Sequence, residues 1–320
     1  MKQAIITGAT GFIGSRLVRL LLDNNIEVLA IGRKAWEDVD PLRLQSNKNL
    51  TYLSLDMRNI NLLANGIKEK QFKVKKSCVF YHFAWGGEKG LSDFNVGAQL
   101  NNVAWATEVI KIAELIGCKK FIHVGTMEEA FVKNYLNLDY KKNDEYNRHV
   151  VFAVAKKHAR EIFKSLSGNS KIDLIFTTNS HVMGPNDYRD SFLQQTLEKL
   201  INNTKLEFSS GKQIFDVISV SDCAKAYKLI GEKGKKNAEY WIGSGSPRTL
   251  KKYIEIMARL YPSSKCLEFD KIPYNDIKLK LGDFSIEDLQ KDTGFVATQL
   301  YEDIVYELYD WLINKKIDVY

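Results

Sequence analysis

Thr7-Gly8-Ala9-Thr10-Gly11-Phe12-Ile13-Gly14 is the segment of this 320-residue chain with the clearest chemistry. It follows a short apolar run, Ala4 to Ile6, and opens a helical pattern that runs to about Asn24. A strand-to-helix turn bends where glycine permits it. A phosphate reaches the backbone only where no side chain stands in the way. The helix start then offers unpaired N–H groups and a partial positive charge. Gly8, Thr10, Gly11, Phe12, Ile13 and Gly14 are therefore read as the cradle for the pyrophosphate of a dinucleotide. The next apolar run ends in Gly32-Arg33-Lys34, with Arg33 nineteen positions after Gly14. A cofactor with a free ribose 2′-hydroxyl is usually held by an acidic residue at about that distance. A guanidinium suits the added 2′-phosphate of NADP instead. If Arg33 is only an exposed loop charge, NAD stays open. Asp56, with Met57 after it, ends the third apolar run. It either accepts a hydrogen bond from the adenine amino group or makes a strand-end turn.

Those residues need a scaffold, and the chain alternates strand and helix patterns through its first 180 residues. Strands are expected at 3–7, 26–32, 50–55, 77–83, 119–125 and 171–178. Helices are expected at 12–24, about 59–70, 97–117 and 150–167. In the first helix Ile13, Leu17, Leu20 and Leu21 fall on one face, spaced for packing on a sheet. Such alternation implies an α/β fold, a doubly wound (Rossmann) parallel sheet covered on both faces. After Gly184-Pro185 the pattern changes. Short strands near 205–208, 215–220 and 239–243 mix with helices near 190–202, 222–231, 248–260, 285–291 and 299–314. We expect residues 1–184 to bind NAD(P) and residues 185–320 to form a smaller α/β substrate lobe interleaved with the first.

Composition narrows the function classes. The formal net charge is +7, with lysines in short scattered groups such as Lys73-Lys75-Lys76, Lys141-Lys142 and Lys233-Lys235-Lys236. No basic patch interleaved with aromatics is visible, so a nucleic-acid partner is not expected. A mildly basic surface favours small anionic molecules. No apolar run reaches the length of a membrane span, and the first residues are needed as a strand rather than a leader. Cys78, Cys118, Cys223 and Cys266 lie far apart and the five histidines are scattered. Reduced thiols, a cytoplasmic location and no metal site are the expectation.

A family resemblance rests on motifs that occur in order: Thr7 to Gly14, Leu55-Asp56, His82-Phe83-Ala84, Asn102-Val103, Gly125-Thr126, Phe152-Ala-Val-Ala-Lys156, Met183-Gly184-Pro185 and Val220-Ser221-Asp222. Together they resemble the extended short-chain dehydrogenase/reductases, specifically the nucleotide-sugar epimerases, dehydratases and 4-ketoreductases. Val124 to Glu129 looks most like the GDP-mannose dehydratases and the related 4-keto-6-deoxymannose reductases. The resemblance implies that Thr126 hydrogen-bonds the reacting sugar oxygen and that Lys156 holds the nicotinamide ribose. It implies a dehydratase base at Glu128, although related reductases carry a Glu there too, and Met127 stands where glucose-type dehydratases have an acid. It places Met57, Phe83, Ala84 and Ser180 with the cofactor. It places Trp85, Met127, Asn179, His181 and Lys212 with a nucleotide-sugar substrate. It also implies a homodimer formed by the helices at 97–117 and 150–167.

Two departures qualify it. The proton-donating Tyr of the family is Phe152 here, and a phenyl ring has no proton to give. The chain then carries an introduced Tyr-to-Phe change, or uses another donor (Tyr135, Tyr140, Tyr146 or a water), or binds cofactor without turnover. Phe215 stands where an Arg clamps the substrate diphosphate, and Tyr274-Asn275-Asp276 offers no match for a second Arg. Either Lys212 or Lys205 is then the candidate charge, or the substrate lacks a diphosphate in the usual place. The leading expectation is an NADP-linked 4-keto-sugar reductase. An epimerase or 4,6-dehydratase using Glu128 is the alternative, and a catalytically silent NADP-binding regulator is the alternative of another class.

Overall fold

The computed structural model describes residues 1–87, 94–137, 141, 149–189, 191–261, 267–273 and 278–317. Tyr140, Lys142, Tyr146, Cys266 and Tyr274 to Asp276 lie outside the described residues. The chain begins with β1 (Gln3–Thr7), α1 (Phe12–Asp23), β2 (Glu27–Gly32) and β3 (Leu50–Ser54). It continues through α2 (Leu63–Glu69), β4 (Cys78–His82), α3 (Val96–Leu115), β5 (Lys120–Thr126), α4 (Glu128–Tyr135), α5 (Val150–Leu166) and β6 (Asp173–Asn179). Beyond residue 180 come β7 (His181–Met183), α6 (Phe192–Ile201), β8 (Leu206–Glu207), β9 (Ile214–Phe215), β10 (Val217–Ser219), α7 (Val220–Lys233) and β11 (Glu239–Ile242). The last elements are β12 (Arg248–Thr249), α8 (Leu250–Leu260), β13 (Leu267–Glu268), α9 (Glu287–Thr293) and α10 (Tyr301–Ile317).

Seven parallel strands form the main sheet in the order β11-β6-β5-β4-β1-β2-β3. The strands are apolar along their length because helices cover both faces. Alternate residues serve alternate faces. Ala4 and Ile6 pack with Leu17, Val18 and Tyr227 on the α1–α7 side. Ile5 packs with Val103, Val109, Ala159 and Phe163 on the α3–α5 side. The order reverses between β1 and β4, so the crevice at their carboxyl ends is where such sheets bind ligands. Thr7 and His82 face each other there, with Thr7 Oγ1 2.8 Å from His82 Nδ1.

Residues after 184 are divided between two places. β11 extends the main sheet beside β6, and α7 packs against α1. Helix α9 packs on α7 and β11, while α6, α8 and α10 build a second apolar cluster that includes Leu193, Leu197, Ile254, Met257, Val305 and Leu308. Three two-stranded pairs, β7·β10, β9·β12 and β8·β13, trim its edges.

Three local differences from the sequence expectation have physical causes. The helix expected at about 59–70 starts as a 3₁₀ turn, Met57–Leu62, because Asp56 caps it and Asn59 leaves helical geometry. The strand expected over 215–220 breaks at Asp216, which is fully buried and bonded to Ser180 and Ser244. A helix over 128–135 was not expected. It is short, and Glu128 and Glu129 favour its first turn by charge.

Candidate active site

The glycine turn is shaped by close approach. Gly8 has a left-handed φ of +69°, and a Cβ there would lie 2.8 Å from the Ala84 amide nitrogen. The chain leaving β4 therefore crosses directly over it. Gly14 cannot carry a side chain either, since a Cβ would collide with the Gly8 carbonyl. Gly11 is the extended N-cap of α1, with no side-chain cap and no acidic residue in the first turn. The N–H groups of Phe12, Ile13 and Gly14 thus remain at the positive end of a helix. An anion fits that environment.

Around the adenosine side the sequence candidates occupy different settings. Arg33 is exposed, one residue past β2. Gly32 packs between Thr10 and the Tyr52 hydroxyl. Asp56 accepts the Arg58 N–H at 2.9 Å and pairs with the Arg58 guanidinium at 3.0 and 3.1 Å. Those hydrogen bonds hold its carboxyl below the usual range. Met57 is half-buried.

Phe83, Ala84 and Trp85 link this turn to a second cluster. Phe83 meets Tyr227 edge-on, with ring centroids 4.8 Å apart. Trp85 donates its indole N–H to Gln99 Oε1 at 2.8 Å. Asn102 bonds both the N–H and the carbonyl of Gly86, each at 2.8 Å. On the other side of the indole lie Lys156 and Phe152, one turn apart on α5. Lys156 Nζ stands 3.9 Å from the Trp85 ring centroid and donates to the Val124 carbonyl at 3.0 Å. Phe152 meets the indole edge-on, centroids 6.4 Å apart at 84°. Burial brings the Lys156 ammonium down to about 7. A cation over an indole with only a carbonyl as acceptor is held in place but poorly solvated.

Thr126 ends β5 and its N–H donates to Glu129 Oε1 at 2.9 Å. Glu129 also receives the Arg160 guanidinium, and both side chains are almost fully buried. Arg160 reaches the Thr177 carbonyl and Thr178 Oγ1 as well. Glu128 is buried, with Oε2 3.2 Å from His149 Nδ1. Tyr135 is buried and stacked on Phe131. Met127 is partly buried and packs on that cluster.

The remaining candidates separate. Ser180 donates to Asp216 at 2.9 Å and accepts from the Trp241 indole at 2.6 Å. The Asn179 carboxamide oxygen accepts from the Tyr227 hydroxyl at 2.8 Å and so faces the core. The His181 ring lies 6.2 Å from that of Phe215, and burial lowers it to about 4, so it is neutral at pH 7. Lys212 is exposed. Lys205 pairs with Glu207 and Glu268 at the β8·β13 edge, so it is not the spare charge that the sequence offered.

Sequence reasoning missed Gln99, Glu129, His149 and Arg160. One signal was available: Phe152, Lys156 and Arg160 recur every four residues, which puts Arg160 on the same face as the two candidates.

Residues 4–243 match the family model described as the NAD dependent epimerase/dehydratase family. CDP-abequose synthase of Salmonella typhimurium is 27% identical over 286 residues, covering 86% of this chain and 87% of that protein. UDP-N-acetylglucosamine 4-epimerase from Methanobrevibacter ruminantium, solved with UDP-N-acetylmuramic acid, superposes with a TM-score of 0.78 at 21% identity, covering 98% and 99% of the two chains. dTDP-glucose 4,6-dehydratase from Bacillus anthracis, solved with NAD, gives 0.75 at 18% identity over 99% and 98%. With a glycine turn at the sheet's switch point and a matching model over most of its length, the chain belongs to the NAD-dependent epimerase/dehydratase family, whose enzymes use a nicotinamide dinucleotide.

Proposed function

We propose that this protein is an NADP(H)-linked oxidoreductase that reduces the 4-keto group of a nucleotide-activated sugar. The observation that carries it is the placement of Phe152 and Lys156 around Trp85, directly beyond the crossing of Ala84 over Gly8, with Thr126 at the end of β5. When bound, the dinucleotide supplies or receives the hydride. The chain's own residues then bind and polarise. The Thr126 hydroxyl, at the end of β5, would hydrogen-bond a carbonyl oxygen seated over the strand ends. Lys156 supplies a cation that need not be deeply solvated and that loses its proton near neutrality. Trp85 orients that ammonium through its ring and gives the sugar an apolar wall. Similarity to CDP-abequose synthase supports an activated-sugar substrate. Arg33 supports the phosphorylated cofactor.

Phe152 donates no proton, and loss of a general acid commonly costs about two to four orders of magnitude. We therefore expect Phe152→Tyr to raise turnover of a nucleotide-linked 4-keto-6-deoxyhexose with NADPH by at least about tenfold. The assay is NADPH oxidation followed by absorbance, with product identified by mass. If the Tyr variant transfers no hydride to any of a broad set of such substrates, the reductase reading is wrong.

A second reading has its own observation. Glu128 is buried beside Thr126 with Oε2 3.2 Å from His149 Nδ1, which supports a carboxylate that would abstract a proton next to a ketone. On that reading the protein is an epimerase or 4,6-dehydratase, and Glu128→Gln abolishes exchange of substrate carbon-bound hydrogen with deuterated water. On a third reading, NADP binding without turnover, neither Phe152→Tyr nor Glu128→Gln changes anything but cofactor affinity.

A further inference from the structure

Beside α1 lies a cavity of about 60 Å³ that shares only Phe12 with the glycine turn. Arg16 and Arg19 of α1, Arg43 of the β2–β3 connection, Asn186 and Ser221 line it, with Glu307 of α10. Arg16 donates to Ser221 Oγ at 2.8 Å. Arg19 donates to the Arg43 carbonyl at 3.1 Å. The Arg43 guanidinium lies over the rings of Tyr188 and Phe12, at 4.9 and 5.9 Å, in a residue only 8% exposed. Among the described residues, these partners of the three arginines include no carboxylate. The acids nearby are committed elsewhere. Asp40 accepts from the Tyr188 hydroxyl at 3.0 Å, Asp187 is held by Arg189 at 2.8 Å through both oxygens, and Glu307 accepts from Gln299 at 2.6 Å. Three cations against Glu307 leave a formal charge of +2 on the lining (3 − 1).

Burial is the main cause that pushes both Arg19 and Arg43 down; Asp23 and Asp40 near Arg19, and Asp187 and Asp40 near Arg43, offset part of it without hydrogen-bonding either guanidinium among the described residues. Convergent guanidinium groups whose hydrogen bonds go to a hydroxyl and a carbonyl rather than to a carboxylate keep N–H donors for a ligand. A polar atom points the same way. Asn186 Oδ1 is buried without a hydrogen-bond partner. Its carboxamide, turned over, presents N–H donors there instead. The volume matches: at about 15 Å³ for each water-sized atom, 60 Å³ takes about four, the number of oxygens in a tetrahedral oxyanion.

We propose that this cavity binds a small oxyanion, inorganic phosphate or the phosphate group of a phosphorylated metabolite, at a site separate from the dinucleotide crevice. Guanidinium groups are suited to it by their paired donors. The site stands or falls independently of the reductase reading.

The test is calorimetric titration of the full chain with sodium phosphate, at ionic strength matched with chloride, with and without saturating NADPH. Saturable binding with a Kd of about 1 mM or tighter, unchanged by NADPH, is expected. Arg16→Gln, at an exposed position, and Arg43→Gln should each weaken it by about tenfold or more while leaving NADPH affinity within about twofold. A parallel titration with glycerol 3-phosphate identifies the source. Tighter binding than phosphate points to an ester, and weaker binding points to the free ion. No saturation by about 10 mM phosphate, equal affinity in the Arg16→Gln variant, or displacement of phosphate by NADPH would each overturn the proposal.

Discussion

The two sides of the crevice are built by opposite means. The cofactor side, around β1 and α1, uses backbone: glycines at 8, 11 and 14, an uncapped helix start and no acid in its first turn. The other side, around β5, α4 and α5, uses buried charge: Lys156 on an indole, Glu129 with Arg160, Glu128 beside His149. A backbone cradle accepts any dinucleotide pyrophosphate and leaves its N–H groups free for it. A charged cluster fixes side chains and leaves few polar atoms uncommitted. The difference teaches where specificity and stability reside. Generic binding sits in the first region, and rigidity with tuned proton affinity sits in the second.

The strongest way to break that contrast is to remove Arg160. Arg160→Met leaves the Glu129 carboxylate buried without its partner, and such losses cost about 3–5 kcal/mol. For a chain of this size that is a fall of roughly 4–8 °C in Tm. The double variant Glu129→Gln/Arg160→Met should recover more than half of the loss, since the stranded charge is gone. Urea unfolding followed by circular dichroism measures both. A single variant within about 1 kcal/mol of the parent would show that the pair does not stiffen this side.

That contrast also explains what could be read in advance. The cofactor side was legible because its signal is local. Gly8 to Gly14 sits between Ala4-Ile6 and a helical pattern, and the requirement for no side chain is written as glycine. The alternation of elements gave the doubly wound sheet for the same reason. The charged side is a product of tertiary contact. Glu129 meets Arg160 across 31 residues, and Trp85 meets Lys156 across a longer span, so neither pairing has a sequence period. Lys205 misled because surface charge near a loop looks alike whether it is spare or already paired with Glu268. Asn179 and Ser180 were placed by motif position, and motif position does not reveal which way a carboxamide or hydroxyl points.

Lys156 sharpens the comparison through pH. Its folded value is near 7 against 10.5 when unfolded, with burial as the main cause. Between those values the unfolded chain binds a proton that the fold does not, so stability rises with pH across the window from about 7 to 10.5. Below about 7 both states are protonated, and the cost of burying the cation is felt in full. From pH 7 to 9 the cofactor-free parent should gain about 2 kcal/mol more than Lys156→Met. Burial raises the proton affinities of Tyr227, Tyr81, Cys78 and Cys223 as well, but the parent and the Lys156→Met variant share those groups, so the difference between the two isolates the lysine. Parallel unfolding curves at both pH values would mean that Lys156 is solvated in solution.

Arg33 tests the opposite claim, that the cofactor side carries little charge-based discrimination beyond one exposed residue. Arg33 is solvent-facing, and its nearness contributes to the lowered proton affinity of Asp56. Arg58 already neutralises Asp56 through two hydrogen bonds, so the local field at the end of β2 is positive. A 2′-phosphate placed there gains a charge-assisted contact, which at an exposed site amounts to about 1–1.5 kcal/mol. Arg33→Ala should therefore weaken NADPH binding by about tenfold and leave NADH unchanged, as read by fluorescence titration. Because the contact is exposed, the preference of the parent for NADPH should also shrink as salt rises from about 0.05 to 0.5 M. Equal affinity for the two cofactors in the parent, or no loss of NADPH binding in the variant, would remove Arg33 from the site and leave discrimination to the backbone cradle, which has no means to supply it.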